Sequence, residues 1–239
     1  MHVLANPGKF LRIFGPLLPW LSLIALALIA VGLYAGLFLA PPDYQQGETV
    51  RIMYVHVPAA WMALFVYATV AAASAAGLIW HHSLAFVIAQ AAVPIGATFT
   101  FLALVTGSFW GKPMWGAWWV WDGRLTSVLL LFFLYLGLMA LPEAFDKRER
   151  GQRMTAILSV IGVVLLPIVK FSVDWWATLH QPASVLRFDG PTIHESQIWP
   201  LFVMAGGFAF YCFAVLLVRV KQQILETRLR RLQLASADA

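Results

Sequence analysis

Six long apolar stretches, separated by short polar segments, run along this chain of 239 residues. They cover residues 17–40, 57–80, 84–109, 125–141, 154–171 and 198–220. Each stretch is long enough to cross a bilayer as an α-helix, because about 17 to 25 residues cover roughly 30 Å of hydrocarbon. The pattern predicts an all-α fold, a polytopic membrane protein with six transmembrane helices in a single domain over residues 1–239.

The composition supports a membrane protein. Hydrophobic residues make up 61% of the chain and charged residues only 11%, which leaves too little polar surface for a soluble protein of this size. The net charge of +5 comes from basic residues at the edges of the apolar stretches, where contact with membrane lipids explains them. We therefore expect no nucleic-acid partner. The single cysteine, Cys212, excludes an intramolecular disulfide and cysteine-based metal motifs.

The lysines and arginines are divided unequally between the two sides of the membrane. Eleven of the 16 fall on the side that holds both termini: Lys9, Arg12, Lys147, Arg148, Arg150, Arg153, Arg219, Lys221, Arg228, Arg230 and Arg231. Because the basic side is cytoplasmic, both termini are predicted to be cytoplasmic, with segments 81–82 and 143–153 and an amphipathic tail over residues 219–239. Segments 41–56, 110–124 and 172–197 are then external, and Pro58 is expected in the first turn of the second helix.

The external tryptophan segment (residues 110–127) reads WGKPMWGAWWVWDGRLTS and holds five tryptophans within twelve residues. An aromatic belt at the membrane interface explains isolated tryptophans, but it requires no such cluster. A shelf of indoles next to charge suits a large, planar, partly anionic ligand, and heme is the obvious candidate. The expected binding residues here are Trp115, Trp118, Trp119, Trp121 and Asp122. Whether Asp122 contacts the ligand or orients a neighbour is open.

Two histidines lie at the outer membrane boundary, His56 before the second apolar stretch and His180 after the fifth. Either one alone could simply be an amphipathic residue at headgroup level. Because both share this depth and have aromatic neighbours, we interpret them as axial ligands that occupy both faces of a heme iron. An iron whose two axial positions are both occupied is held in place and has no open position for oxygen chemistry.

External arginines are candidates for the heme propionates, since a guanidinium binds a carboxylate through two hydrogen bonds. Arg51 and Arg124 are the best of these. Arg187 lies beside Asp189 and is expected to be a solvated loop charge, and Lys112 is undecided between the two roles.

Around these residues the chain resembles the CcmC type of heme-handling membrane proteins of cytochrome c maturation. That family's Trp-Gly-x-x-Trp-x-Trp-Asp signature is met at Trp115, Gly116, Trp119, Trp121 and Asp122, together with its two external histidines. The resemblance implies heme b as bound cargo on the periplasmic side of a bacterial inner membrane, with no enzymatic activity. It also implies four partners: a periplasmic heme chaperone of the CcmE type, ABC transporter subunits of the CcmA and CcmB types, and a small membrane subunit of the CcmD type.

Two other functions are weighed against heme presentation. A membrane oxidoreductase that passes electrons through heme usually needs histidine pairs within the helices. A permease could move heme along polar residues of the third apolar stretch, Gln90, Thr98, Thr100 and Thr106, although such residues more often serve helix packing. No nucleotide-binding P-loop is found.

Overall fold

A computed structural model describes residues 6–182, 184–185, 187 and 189–237, and six of its helices are long and apolar enough to cross a membrane. In chain order, these first to sixth spans are Pro7–Leu39, Glu48–Trp80, Ser83–Trp115, Gly123–Ala144, Arg148–Trp175 and Glu195–Ser236. The predicted all-α fold with six transmembrane helices is confirmed. Residues 1–5 and 238–239, the ends of the predicted domain and tail, lie outside the described residues.

Several spans join more than one kind of helix. The α-helices are Pro7–Phe14, Leu18–Tyr34, Met53–Trp80, Ser83–Trp115, Gly123–Ala140, Arg148–Ile161, Leu165–Trp175 and Glu195–Ala237. Shorter 3-10 turns cover Gly15–Leu17, Glu48–Ile52, Leu141–Ala144 and Gly162–Val164, and Ala35–Leu39 is π-helical. Proline or glycine lies in three of the four 3-10 turns, where it weakens continuous α-helical bonding.

The helices extend beyond the ends of the predicted apolar stretches. The second span begins at Glu48 instead of residue 57, and the third ends at Trp115 instead of residue 109. Hydropathy marks only the part of a helix that faces lipid, whereas these helices continue into the polar interface. His56 therefore lies within a helix, and the expectation that Pro58 occupies a first turn is wrong, because the α-helix Met53–Trp80 starts five residues before it.

At the centre of the bundle, aromatic side chains pack directly against glycines of neighbouring helices. The second span packs against the third, fifth and sixth, and the first packs along the sixth. The Tyr135 ring fills the space beside Gly96, and its hydroxyl donates to the carbonyl oxygen of Ala63 at 2.8 Å. The Tyr67 hydroxyl, next to Gly162, donates to the carbonyl oxygen of Ser159 at 3.0 Å. Close packing at small residues is the usual source of helix association in lipid.

Replacing Gly96 with alanine should destabilise the bundle. An added Cβ would lie 2.1 Å from Cζ and 2.2 Å from the hydroxyl oxygen of Tyr135, so the ring must move and its hydrogen bond weakens. We expect the free energy of unfolding to fall by about 1–3 kcal/mol, measured as a lower thermal unfolding midpoint in detergent. Gly137→Ala is the matched control, because a Cβ there meets nothing within 4 Å. Equal midpoints for the two variants would contradict this packing.

Candidate functional site

The fold brings the two predicted ligand histidines together. His56 comes from the second span and His180 from the loop between the fifth and sixth spans. Their ring centres lie 6.4 Å apart, the ring planes are inclined by 37°, and both side chains are half-buried. Since bonds from histidine nitrogen to a metal are about 2 Å long, two imidazoles on opposite sides of one metal atom have centres roughly 6 Å apart. The observed separation matches that requirement.

Hydrogen bonding defines which nitrogen of His56 carries the proton. Its Nδ1 lies 3.1 Å from the hydroxyl oxygen of Thr106, and that hydroxyl donates its own proton to the carbonyl oxygen of Leu102 at 2.7 Å. With that proton donated to Leu102, the threonine oxygen accepts from His56, and this assignment places the proton of the neutral ring on Nδ1 and the lone pair on Nε2. Gly107 permits this approach, because a Cβ there would lie 2.9 Å from Cε1 of His56.

His180 reaches the same state by a different route. Its Nδ1 lies 3.0 Å from the carbonyl oxygen of Gln181, and since a carbonyl can only accept, Nδ1 donates, which in the neutral ring leaves Nε2 unprotonated. Burial lowers the pKa of His180, and the nearby positive charge of Arg124 lowers it further, while the bond to Gln181 and the charge of Asp122 act in the opposite direction. The ring is therefore neutral at pH 7, the form that coordinates metals.

Asp122 connects the tryptophan segment to the loop that carries His180. One carboxylate oxygen caps the α-helix Gly123–Ala140 by accepting from the backbone N–H of Leu125 at 2.7 Å. The other accepts from the hydroxyl of Thr178, whose oxygen in turn accepts from the backbone N–H of His180 at 3.0 Å. Both carboxylate oxygens are thus bonded to the protein. Of the two roles left open for Asp122, this geometry supports orientation of a neighbour.

Of the four tryptophans named from the sequence, Trp115 lies beside a histidine, and the four do not form one flat shelf. The Trp115 ring centre is 6.3 Å from that of His180. Trp119 and Trp121 meet edge to face at 5.4 Å, and Trp118 meets Phe109 in the same way at 5.7 Å. Edge-to-face contact is the arrangement that the charge distribution of aromatic rings favours. Trp118 and Trp121 are 53% and 75% exposed.

Sequence reasoning missed the role of Trp110, whose ring lies edge-on to His56 with centres 5.6 Å apart. Its Nε1 donates to the side-chain oxygen of Gln46 at 2.8 Å, which holds the indole in place. Thr106 and Trp110 are four residues apart, so in a helix they share one face. A third helix extended past residue 109 would have placed Trp110 on the same face as Thr106, but only the tertiary structure brings that face against His56.

The two candidate arginines have different surroundings. Arg51 pairs with Glu48, and its Nη1 donates to the carbonyl oxygens of Gly36 at 3.2 Å and Leu37 at 2.5 Å, so it closes the outer end of the first span. The Nη2 of Arg124 reaches the carbonyl oxygen of Lys170 at 3.5 Å, but its Nε is buried without a hydrogen-bond partner among the described residues.

Arg187 and Lys112, the other two cations weighed in the sequence analysis, are bound to nearby groups. Arg187 pairs with Asp189, as the sequence indicated. Lys112 donates to the carbonyl oxygen of Gly116 at 3.0 Å, and its ammonium group lies 6.0 Å from the centre of the Trp118 ring. Lys112 therefore stabilises the turn that begins the loop after the third span.

Comparison with known proteins gives one consistent result. Residues 1–235 match the family model of heme exporter protein C, CcmC. Heme exporter protein C of Bradyrhizobium diazoefficiens is 53% identical over 235 residues, which cover 98% of this chain and 89% of that protein. The Haemophilus influenzae protein is 46% identical over 231 residues, 97% of this chain and 94% of its own. The Escherichia coli K12 protein is 46% identical over 232 residues, which cover 97% of this chain and 93% of that protein.

The lowered pKa of His180 predicts a pH-dependent stability. The folded protein protonates this ring less readily than the unfolded chain, in which a histidine pKa is about 6.5. Its contribution to stability is therefore complete above pH 6.5 and declines as the pH falls below that value. Thermal unfolding midpoints of the wild type and of His180→Gln, measured from pH 8 to pH 5, check this. The variant should lose less stability on acidification, and parallel curves for the two proteins would show the expectation to be wrong.

Proposed function

The chain belongs to the heme exporter protein C (CcmC) family, and from that membership we propose that it holds heme b as cargo between His56 and His180 and presents it to a periplasmic chaperone. Members of this family are transport and delivery components and not enzymes. Membership and the six spans together establish a multi-pass membrane protein with a role in heme handling for cytochrome c maturation. The binding mode and the recipient are the proposal.

The observation that carries the proposal is the pair of imidazoles with ring centres 6.4 Å apart. In both rings Nδ1 donates to a protein oxygen, so Nε2 is the nitrogen left to bind iron. Imidazoles on both axial positions leave no open site on the metal. Such a site holds heme securely and suppresses reactions with oxygen, as delivery of an intact cofactor requires.

The surroundings of the histidines fit the rest of a porphyrin. Trp115 lies beside His180 and Trp110 beside His56, so apolar ring surface is available near each proposed ligand. The buried donors without a hydrogen-bond partner among the described residues include two from the predicted binding residues, Nε1 of Trp119 and Nε of Arg124. Heme propionates are acceptors that could satisfy such donors. We assign the propionate contact to Arg124 ahead of Arg51, whose guanidinium already binds the first span.

The proposed transfer takes place on the outer side of a bacterial inner membrane. The exposed indoles of Trp118 and Trp121 give a chaperone of the CcmE type an aromatic surface to contact. His180 lies on a loop and His56 on a helix, so His180 is the ligand better placed to leave the iron during handover. The family name implies an ABC-type heme exporter complex, and we propose CcmA-, CcmB- and CcmD-type subunits as its other members.

The alternatives are less well supported by the contacts within the bundle. Thr98, Thr100 and Thr106 each donate to a carbonyl oxygen of their own helix, at 2.8, 2.7 and 2.7 Å. Gln90 pairs with Gln152 at 3.4 Å. The three threonine hydroxyls are thus used within their own helix, which is typical of residues that serve helix packing. Electron transfer across the membrane would require a second histidine pair inside the helices, and the other histidines of the described ranges, His81, His82 and His194, lie at or beyond helix ends.

Loss of either proposed ligand should change the heme spectrum. Protein purified from heme-replete cells should show a Soret band and the spectrum of six-coordinate low-spin heme. We expect His56→Ala and His180→Ala each to lose the six-coordinate spectrum. Loss of a hydrogen bond to a metal ligand weakens metal binding about 10- to 100-fold, and loss of the ligand itself should weaken heme binding by more than that.

His194→Ala is the control for this experiment, because His194 lies on the same outer side but its ring bonds to Ser196 at 2.8 Å. It should keep the wild-type spectrum. Retention of that spectrum by both ligand variants, or purification of the wild type without heme, would rule out the axial assignment.

A further inference from the structure

Two threonines outside the family signature contact the proposed ligands directly, one at each histidine. We propose that Thr106 and Thr178 are positioning residues, which present His56 and His180 with Nε2 facing the cargo. This inference rests on the proposed function, since it concerns how the same two histidines bind heme. Neither threonine is argued to touch the heme itself.

Thr106 determines the orientation and the tautomer of His56. Its hydroxyl oxygen can accept from Nδ1 because its proton is committed to the carbonyl oxygen of Leu102 at 2.7 Å. When the N–H at Nδ1 donates to an acceptor, the Nε2 atom of the same ring becomes more basic. A more basic ligand stabilises oxidised iron. Valine has the same shape as threonine but no hydroxyl, so it would leave Nδ1 without this partner in a half-buried site.

Thr178 determines the position of the loop that carries His180. It is the middle member of a chain of hydrogen bonds that runs from Asp122 through the threonine hydroxyl to the backbone N–H of His180. Asp122 is itself fixed as the cap of the fourth span. The bond from Thr178 therefore attaches the loop that carries His180 to the rigid start of the fourth span. That helix start directly follows the tryptophans. Without the hydroxyl, His180 loses its connection to that rigid element.

Each threonine has a matched control elsewhere in the chain. Thr98 lies on the same helix as Thr106 and also donates four residues back, to the carbonyl oxygen of Pro94 at 2.8 Å, but its side chain is exposed. Thr192 lies in the same outer loop as Thr178 and donates to the carbonyl oxygen of Ser184 at 3.3 Å. Thr98→Val and Thr192→Val remove a hydroxyl without removing a contact to a histidine.

The test compares valine and serine substitutions in the full chain, purified and titrated with hemin. Thr106→Val should bind hemin about 10- to 100-fold more weakly and shift the reduction potential of the bound heme upward. Thr178→Val should convert part of the bound heme from low spin to high spin, seen by electron paramagnetic resonance, because His180 no longer reaches the iron in every molecule. Thr106→Ser and Thr178→Ser should restore the wild-type values, and both control variants should match the wild type.

The outcomes separate this inference from the proposed function. A wild type without six-coordinate low-spin heme overturns the proposed function and this inference with it. A wild type with that spectrum, together with valine variants that match the controls, overturns the inference alone. Valine variants that serine does not rescue also overturn it, because the hydroxyl is then not what matters. Should a valine variant fail to fold, Thr106→Ala and Thr178→Ala provide the same comparison.

Discussion

The candidate site depends on hydrogen bonds that hold two imidazoles side by side, one on the second span and one on the loop after the fifth. His56 and His180 come from parts of the chain that share no helix, yet their ring centres lie 6.4 Å apart. Each Nδ1 donates to an oxygen of the protein, one from Thr106 and one from the backbone of Gln181. In the neutral form of each ring the lone pair then lies on Nε2, where a metal could bind.

The six helices serve this site as a scaffold. In lipid the helices associate through close packing at small residues, and here glycines accept aromatic rings, as Gly96 accepts Tyr135. Glycines make the same kind of close contact at the candidate site, where Gly107 makes room for His56 and Gly123 lies against the ring of Trp176. Rigid packing in the membrane thus continues into the site, and only the loop with His180 needs an additional attachment, which Asp122 and Thr178 supply.

Much of this architecture was predictable from the sequence, for identifiable reasons. The six spans follow from apolar length, and the two histidines from their depth beside the tryptophans of segment 110–127. Helix ends in the interface were not predictable in this way, because Glu48 and Arg51 are polar residues within a helix. The pairing of Thr106 with His56 joins residues 50 positions apart, and nothing in local sequence encodes it. The single indole shelf was also an oversimplification, since aromatic rings favour edge-to-face contact.

An experimental structure of the heme-loaded protein in a lipid nanodisc tests the central claim most directly. The account predicts one iron atom coordinated by Nε2 of His56 on one face and by Nε2 of His180 on the other, with Thr106 and Gln181 still accepting from the two Nδ1 atoms. Iron bound through Nδ1, or iron with either imidazole turned away from it, would contradict the account.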